Sequence, residues 1–275
     1  MPDNAGLMPP RPASPFGLLF SGLYTVYATA MFCINTFVLI CPLILVLPGV
    51  GLRRRIASFG VRLGMLLMGV PFRVRGSDNL PAGPCIVVSN HASYLDGLVM
   101  TAALPARFNF VIQHGAAKWF YAGTVLRRLG YRFVNRSSAR AGAVQTRALL
   151  RDLRAGESLA IFAEGTFKAE PGLLPFKNGA FLLAAKTSVP VVPVTICGTR
   201  RLLGGGTTRF RWSRVSVDIG RPLPVGGHAP TLRDAARAAI LAQCGEPDAQ
   251  APAAADEAMG EPIDEPMDRA AVEAA

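Results

Sequence analysis

The sequence predicts an α/β domain with a mixed, mainly parallel sheet flanked by helices, preceded by a membrane-embedded helical segment. Two observations indicate this architecture. No charged residue occurs from Pro12 to Leu52, and beyond Val70 short β-rich runs alternate with longer helical stretches. The 275 residues are 51% hydrophobic and only 17% charged, which excludes a disordered or fibrous protein.

Residues 16–50 are predicted to form a membrane anchor. Their apolar part exceeds the roughly 20 residues of one spanning helix but is too short for two spans with a turn. The anchor is therefore either one long tilted span or a re-entrant helix pair in one leaflet, with Asn35 and Pro42 as candidate breaks. The run is also about twice as long as the apolar region of a signal peptide.

Arginines follow this anchor directly. Arg53, Arg54, Arg55 and Arg62 predict, by the positive-inside rule, that the following domain faces the cytoplasm. Residues 51–70 combine these cations with an apolar helical face, which is typical of a helix lying on anionic lipid. We expect a membrane location, of the bacterial inner-membrane type.

The remaining boundaries follow from composition and alternation. The predicted strands are 72–75, 85–89, 108–112, 131–135, 159–163, 191–196 and 215–219. The predicted helices are 94–103, 115–129, 139–155, 178–187 and 231–243. These elements assign residues 71–245 to the α/β domain. Residues 1–15 and the acidic segment 246–275 have too little apolar surface to fold and are predicted to be disordered.

Charge indicates an anionic partner. The net charge is +11, and without the acidic segment 246–275 the remaining 28 basic and 9 acidic residues give +19. An anionic bilayer, an acidic carrier protein, a phosphorylated metabolite or nucleic acid could each fit. Scattered basic residues without a recognition motif argue against nucleic acid. Five widely spaced cysteines predict neither a disulfide framework nor a zinc site, and fit a reducing compartment.

One histidine follows the first strongly apolar strand of the domain. His91 lies five residues before Asp96, in the segment Asn90-His91-Ala92-Ser93-Tyr94-Leu95-Asp96. Ser93 and Asp96 have the spacing of a helix capping box, which places His91 in a loop at the carboxyl end of a strand. If Asp96 accepts a hydrogen bond from one imidazole nitrogen, the other nitrogen is free to act as a general base.

Three further segments carry candidate ligand-binding residues. A second apolar strand ends in Glu164-Gly165-Thr166, whose turn can present backbone N–H groups and a hydroxyl to an anion or polar head group. A third strand precedes Arg136, which can hold a phosphate with two hydrogen bonds. The fourth segment, 189–194, is an apolar strand with two prolines, which predict an edge strand or a bulge.

In their order and spacing along the chain, the four segments resemble the motifs of the glycerophospholipid acyltransferase family, whose best-known members are 1-acylglycerol-3-phosphate acyltransferases. The family patterns are Asn-His-x4-Asp, Gly-x5-Arg, Phe-Pro-Glu-Gly-Thr-Arg and Val-Pro-x-Val-Pro-Val, and the resemblance covers about residues 52–222. It implies that His91 and Asp96 are the catalytic pair and that segment 189–194 shapes the acyl or acceptor site. It also implies that the acceptor head group is bound by Arg136, Glu164, Gly165 and Thr166.

The implied reaction moves a fatty acyl chain from acyl-CoA or acyl carrier protein to a lysophospholipid hydroxyl, with no cofactor or metal. Two positions depart from the family pattern: Ala163 replaces its proline, and Phe167 replaces an arginine that would add a second cation beside Arg136. Because a phosphomonoester gains most from two cations, a lyso-ornithine lipid or another less charged lysolipid is the alternative acceptor.

Two other classes of protein remain as rivals. A lipid hydrolase requires an activated nucleophile, and the chain has no G-x-S-x-G motif. A non-catalytic membrane adaptor explains the anchor but gives His91, Asp96 and Glu164 no role.

Overall fold

The computed structural model describes residues 15–115, 120–134 and 139–249. Its sheet consists of β1 (Phe72–Arg75), β2 (Ile86–Ser89), β3 (Phe108–Gln113), β4 (Arg132–Val134), β5 (Ser158–Phe162), β6 (Val191–Cys197) and β7 (Val215–Ile219). The spatial order is β1-β7-β6-β2-β5-β3-β4. Neighbouring strands are parallel except β6 and β7, which are antiparallel. The predicted mixed, mainly parallel sheet is confirmed.

Helices cover both faces of this sheet. They are α1 (Pro15–Cys33), α2 (Cys41–Val46), α3 (Val50–Leu67), α4 (Asp96–Ala103), α5 (Phe120–Arg128), α6 (Ala139–Arg154), α7 (Gly179–Thr187), α8 (Thr199–Leu203) and α9 (Ala229–Cys244). One hydrophobic cluster joins one sheet face to α3, α4 and α5, and a second joins the other face to α6, α7 and α9. Strands buried on both faces explain the continuous apolar runs of the sequence.

The proline-containing strand β6 is central, so the predicted edge or bulge is wrong. β6 lies between β7 and β2, and its antiparallel pairing with β7 begins at Val194. Just before that point, the Pro193 carbonyl accepts a hydrogen bond from the Gly220 amide at 2.8 Å. The missing proline N–H therefore falls at the end of the ladder, where it leaves the pairing beyond Val194 intact.

The N-terminal apolar segment is one continuous helical run. A π-helix, Ile34–Ile40, joins α1 to α2, so Asn35 and Pro42 do not break the run as predicted. Pro42 has no N–H to donate, and the Cys41 amide bonds to the Thr36 carbonyl in the wider π pattern. The stretch Gly17–Val46 is long and apolar enough to cross a membrane by length and composition.

This apolar run folds back against α3 as an antiparallel helical hairpin. The Tyr24 hydroxyl donates to the Met68 carbonyl at 3.1 Å, and Asn35 Nδ2 donates to the Gly60 carbonyl at 2.9 Å. A Cβ atom on Gly60 would lie 2.4 Å from Ile40 Cγ1, so only glycine allows this approach. The two helices pack through small residues, as membrane helices commonly do.

Three of the four arginines that follow the anchor bind backbone carbonyls of the domain, whereas Arg55 is exposed. Arg54 is buried and donates to the Leu129 carbonyl at 2.8 Å and to the Asn109 side chain. Arg62 donates to the Ala102 carbonyl at 2.7 Å. The outward side of α3 alternates apolar and cationic residues, because Leu52, Arg55, Phe59, Arg62 and Leu66 are all exposed. Its contact with anionic lipid stays a prediction.

The α/β domain extends to Ala249, four residues past its predicted end at 245. Glu246 accepts a hydrogen bond from the Gly172 amide, and Ala249 donates one to the Leu173 carbonyl. Residues 1–14 and 250–275, the rest of the two segments predicted to be disordered, lie outside the described residues.

Candidate active site

Two neighbouring parallel strands place the predicted site residues at one edge of the sheet. Ser89, the last residue of β2, is in register with Phe162, the last residue of β5. The segments that follow, with His91 and Glu164, therefore meet at the carboxyl ends of the strands, where open α/β sheets bind ligands. Asn90 fixes the first segment to β6, because its side chain donates to the Ile196 carbonyl at 2.9 Å and accepts from the Ile196 amide at 2.8 Å.

The structure brings His91 and Asp96 together. His91 Nδ1 lies 2.9 Å from Asp96 Oδ2, which also accepts from the amides of Ala92 at 2.6 Å and Ser93 at 2.8 Å. Asp96 is fully buried in the first turn of α4. Asp96 Oδ2 acts as the acceptor for two amides, so its short contact with the imidazole requires an N–H donor as well. We therefore assign the imidazole proton to Nδ1. Nε2 is then the basic nitrogen.

Aromatic rings flank the imidazole. Phe162 stacks on it with centroids 4.3 Å apart and an interplanar angle of 19°. Phe167 lies 4.6 Å away at 54°, and its ring also meets the edge of Tyr94. The His91 side chain remains 19% exposed, so a substrate can reach it while the rings restrict its orientation.

Ser93 serves the local backbone rather than the imidazole. Its hydroxyl accepts from the Leu95 amide at 3.0 Å and donates to the Leu203 carbonyl. The predicted capping box is formed only in part: the Ser93 amide donates to Asp96 Oδ2, but the N-cap of α4 is Leu95, which makes no side-chain cap hydrogen bond. A serine held in this way is a poor nucleophile candidate, which weighs against the hydrolase alternative.

Glu164 links two loops beneath the site. Its Oε1 accepts from the His91 amide at 2.6 Å, and its Oε2 accepts from the Leu174 amide at 2.8 Å. Burial raises the pKa of this carboxyl group to about 7, although both amide hydrogen bonds oppose the shift. The carboxyl group thus holds the backbone of His91, and its predicted contact with an acceptor head group stays a prediction.

The other predicted binding residues follow Glu164 or β4. Gly165 turns the chain with φ of 77°, which favours glycine, and Thr166 is exposed beside it. Arg136 lies outside the described residues, two positions beyond the end of β4. The nearby Arg132 is bound to Asp152 through two hydrogen bonds of 2.7 and 3.0 Å, so it is already paired with a carboxylate.

Sequence reasoning missed the rings of Phe162 and Phe167 beside the imidazole and the backbone role of Glu164. The pairing of β2 with β5 was the signal for Phe162, since adjacent parallel strands place their last residues side by side. Within the described ranges, no group of three or more His, Cys, Asp or Glu side chains could hold a metal ion.

Comparisons with known proteins agree with this geometry. The family model described as Acyltransferase matches residues 71–197. A chloroplastic 1-acyl-sn-glycerol-3-phosphate acyltransferase of Brassica napus is 32% identical over 191 residues, covering 67% of this chain and 55% of the relative. A 1-acyl-sn-glycerol-3-phosphate acyltransferase of Borreliella burgdorferi is 30% identical over 140 residues, covering 50% of this chain and 56% of the relative.

The chain thus spans slightly more than half the length of these curated relatives. A solved structure has the same fold: the 1-acyl-sn-glycerophosphate acyltransferase PlsC of Thermotoga maritima superposes with a TM-score of 0.66 at 22% identity, covering 81% of this chain and 94% of that one. The shared fold, the matched family model and the His91–Asp96 arrangement all indicate an acyltransferase domain. Over residues 71–197, this chain belongs to the acyltransferase family.

Proposed function

We propose that this protein is an O-acyltransferase that moves a fatty acyl chain from a thioester to the free hydroxyl of 1-acylglycerol-3-phosphate, in membrane phospholipid synthesis. The observation that carries this proposal is the hydrogen bond between His91 Nδ1 and the buried Asp96, which leaves Nε2 as a base at an accessible edge of the sheet. The relatives' names supply the acceptor class.

The reaction proceeds without a protein nucleophile. His91 Nε2 takes the proton of the acceptor hydroxyl as its oxygen attacks the thioester carbonyl, and Asp96 stabilises the resulting imidazolium. The carbon–oxygen bond forms, the carbon–sulfur bond of the tetrahedral intermediate breaks, and the imidazolium returns the proton to the departing thiolate. General-base catalysis of this kind contributes ~10²–10⁴-fold, and positioning of the two substrates contributes much of the remainder.

The experiment that tests this function uses the full-length protein purified in detergent. Lysophosphatidic acid, a lysophosphodiester and lyso-ornithine lipid are each offered with radiolabelled acyl-CoA or acyl carrier protein as the donor. We expect transfer to at least one lysolipid, and the donor arms decide which thioester the protein uses. No transfer to any acceptor from either donor, with the protein still folded, would leave the adaptor alternative as the better description.

A less charged acceptor is the second candidate, and Phe167 favours it. The ring packs on His91 and Tyr94, so this position offers the acceptor no cation. One charge-assisted hydrogen bond contributes roughly 1.5–3 kcal/mol, which corresponds to about 10- to 150-fold in affinity.

We therefore expect Phe167→Arg to raise the ratio of kcat/KM for lysophosphatidic acid over lyso-ornithine lipid by about 10-fold or more. Phe167→Leu is the matched control, because it removes the ring without adding charge and should leave the ratio unchanged. A wild type that already prefers lysophosphatidic acid, together with an unchanged ratio in Phe167→Arg, would contradict the role given to Phe167.

The N-terminal hairpin is proposed to lie in one leaflet of the bacterial inner membrane, with the catalytic domain on the cytoplasmic side. The apolar run also contacts the α/β domain: Thr25 donates to the Phe210 carbonyl at 2.9 Å, and the Phe37 and Leu45 carbonyls accept from Tyr121 and Arg128. The run therefore follows the domain surface at several points along its length. Its outward face is apolar, with Phe20, Leu23 and Val26 each more than 60% exposed. Five free cysteines fit the reducing cytoplasm.

Replacing Phe20, Leu23 and Val26 together by aspartate should release the protein from membranes. Each side chain loses roughly 1.5–3 kcal/mol of transfer free energy, and none belongs to the buried core. The control is Val144→Asp, which charges a 60% exposed valine of α6 and should leave the protein in the membrane pellet. Recovery of the wild type in a high-speed supernatant without detergent would refute membrane attachment.

A further inference from the structure

The last described residues of the chain lie against the loop that follows Glu164. The Leu173 amide donates to the Pro247 carbonyl at 2.9 Å, and the Ala249 amide donates to the Leu173 carbonyl at 3.3 Å. These two bonds form a parallel bridge between Leu173 and Asp248. We call residues 246–249 the C-terminal strap and residues 166–174 the site loop.

One carboxylate in the strap holds the site loop at two places. Glu246 Oε2 accepts from the Gly172 amide at 2.8 Å, and Glu246 Oε1 accepts from Arg200 Nε at 2.6 Å. Arg200 in turn donates through Nη1 to the carbonyls of Lys168 at 2.8 Å and Ala169 at 3.1 Å. The Glu246 and Arg200 side chains are only 13% and 17% exposed, so solvent competes little for these bonds.

A second ion pair supports the strap from α9. Arg237 Nη1 donates to Asp248 Oδ2 at 3.1 Å, and Arg237 Nη2 donates to the Leu173 carbonyl at 2.9 Å. The strap therefore remains attached through Asp248 when Glu246 alone is changed. This separation allows the role of the Glu246 carboxylate to be tested without removing the strap.

The site loop reaches His91 by two routes. At its start, the Phe167 ring packs against the imidazole 4.6 Å away, directly before the two carbonyls that Arg200 holds. At its end, the Leu174 amide donates to Glu164, whose other oxygen accepts from the His91 amide. The loop also carries Thr166, the predicted contact for the acceptor head group.

We propose that Glu246 is a positioning residue for the acyl-transfer site, acting through Arg200 and the site loop to hold Phe167 against His91. The inference rests on the proposed function for its activity readout. It predicts that the chain needs its strap, up to residue 249, for full activity and does not need residues 250–275.

The closing experiment compares four proteins. Two are full-length, the wild type and Glu246→Ala, and two are truncated by deletion of residues 250–275 or 246–275. We expect the shorter deletion to match wild type, and the longer deletion and Glu246→Ala to lose about 10-fold or more in kcat/KM for the lysolipid. Asp234→Ala is the matched control, since it removes an exposed ion pair with Arg233 on the same helix, α9, that carries Arg237.

Two readouts separate positioning from general stability. In Glu246→Ala, the Gly172 amide should exchange hydrogen faster and trypsin should cut more readily after Lys168. The Leu173 amide, still bonded to the strap at Pro247, and the thermal midpoint should stay close to wild type. Combining Glu246→Ala with Arg200→Met should cost no more activity than the worse single variant, because both act on the same loop.

Wild-type kcat/KM in Glu246→Ala would overturn the proposal, as would unchanged exchange at the Gly172 amide. Loss of activity in proportion to a lowered thermal midpoint would also overturn it, because it would indicate a purely structural role. Absence of transfer by the wild type would count against the proposed function, whereas exchange measured on the same sample would still decide whether Glu246 holds the loop.

Discussion

His91→Ala is expected to reduce kcat by at least ~10²-fold and up to ~10⁴-fold, because it removes the base that takes the acceptor proton. The imidazole Nδ1 lies 2.9 Å from the Asp96 carboxylate, which orients the ring and leaves Nε2 as the base. The measurement is the initial rate of acyl transfer at saturating donor and acceptor, with the lipid substrate accepted by the wild type.

The control for this variant must account for packing, because the imidazole lies between Phe162 and Phe167 and its removal leaves a gap. His91→Gln fills more of that space and should be as inactive as His91→Ala. His114→Ala changes an exposed histidine outside the site and should keep wild-type activity. Full activity in both His91 variants would end the general-base mechanism.

The sequence was sufficient to predict the strands and the proximity of His91 and Asp96, because both depend on local patterns. β1 and β7 were predicted with the bounds that the structure has, since an apolar run between turn residues determines a strand within a few positions. His91 and Asp96 are five residues apart, so the turn into α4 alone brings them together.

Features that depend on distant residues could not be predicted in the same way. Arg54 is indistinguishable in sequence from a lipid-facing arginine, and its burial depends on carbonyls more than 50 residues away. Glu246 similarly belongs, by composition, to an acidic tail. Its contacts with Gly172 and Arg200 exist only once α9 has packed on the domain and brought the end of the chain to the site loop.

Asp96→Asn is the second change with a large expected effect, and the hydrogen bonds at Asp96 specify its cause. Three N–H groups converge on Oδ2, those of His91 Nδ1, Ala92 and Ser93. The asparagine carbonyl oxygen must take that place, because an amide NH₂ group there would face three donors. The imidazole then keeps its orientation and tautomer, but loses the negative charge that stabilises the imidazolium in the transition state.

Asp96→Asn is also expected to lower the stability of the fold, through the second side-chain oxygen, Oδ1. Asp96 Oδ1 is buried and has no hydrogen-bond partner among the described residues, so an NH₂ group there would be an unsatisfied donor costing about 1–3 kcal/mol. We therefore expect Asp96→Asn to lower the thermal midpoint slightly and kcat by ~10²-fold or more, while KM for the acceptor changes little.

The double variant distinguishes this mechanism from a general disturbance of the loop. If Asp96 acts through the charge on His91, Asp96→Asn should have little further effect on kcat once His91 is alanine, because the imidazolium that it stabilises no longer forms. Multiplicative losses in the double variant would mean that Asp96 contributes to catalysis by another route, such as the two amides it holds. A kcat close to wild type in Asp96→Asn would show that orientation of the imidazole is sufficient and that the carboxylate charge has no catalytic role.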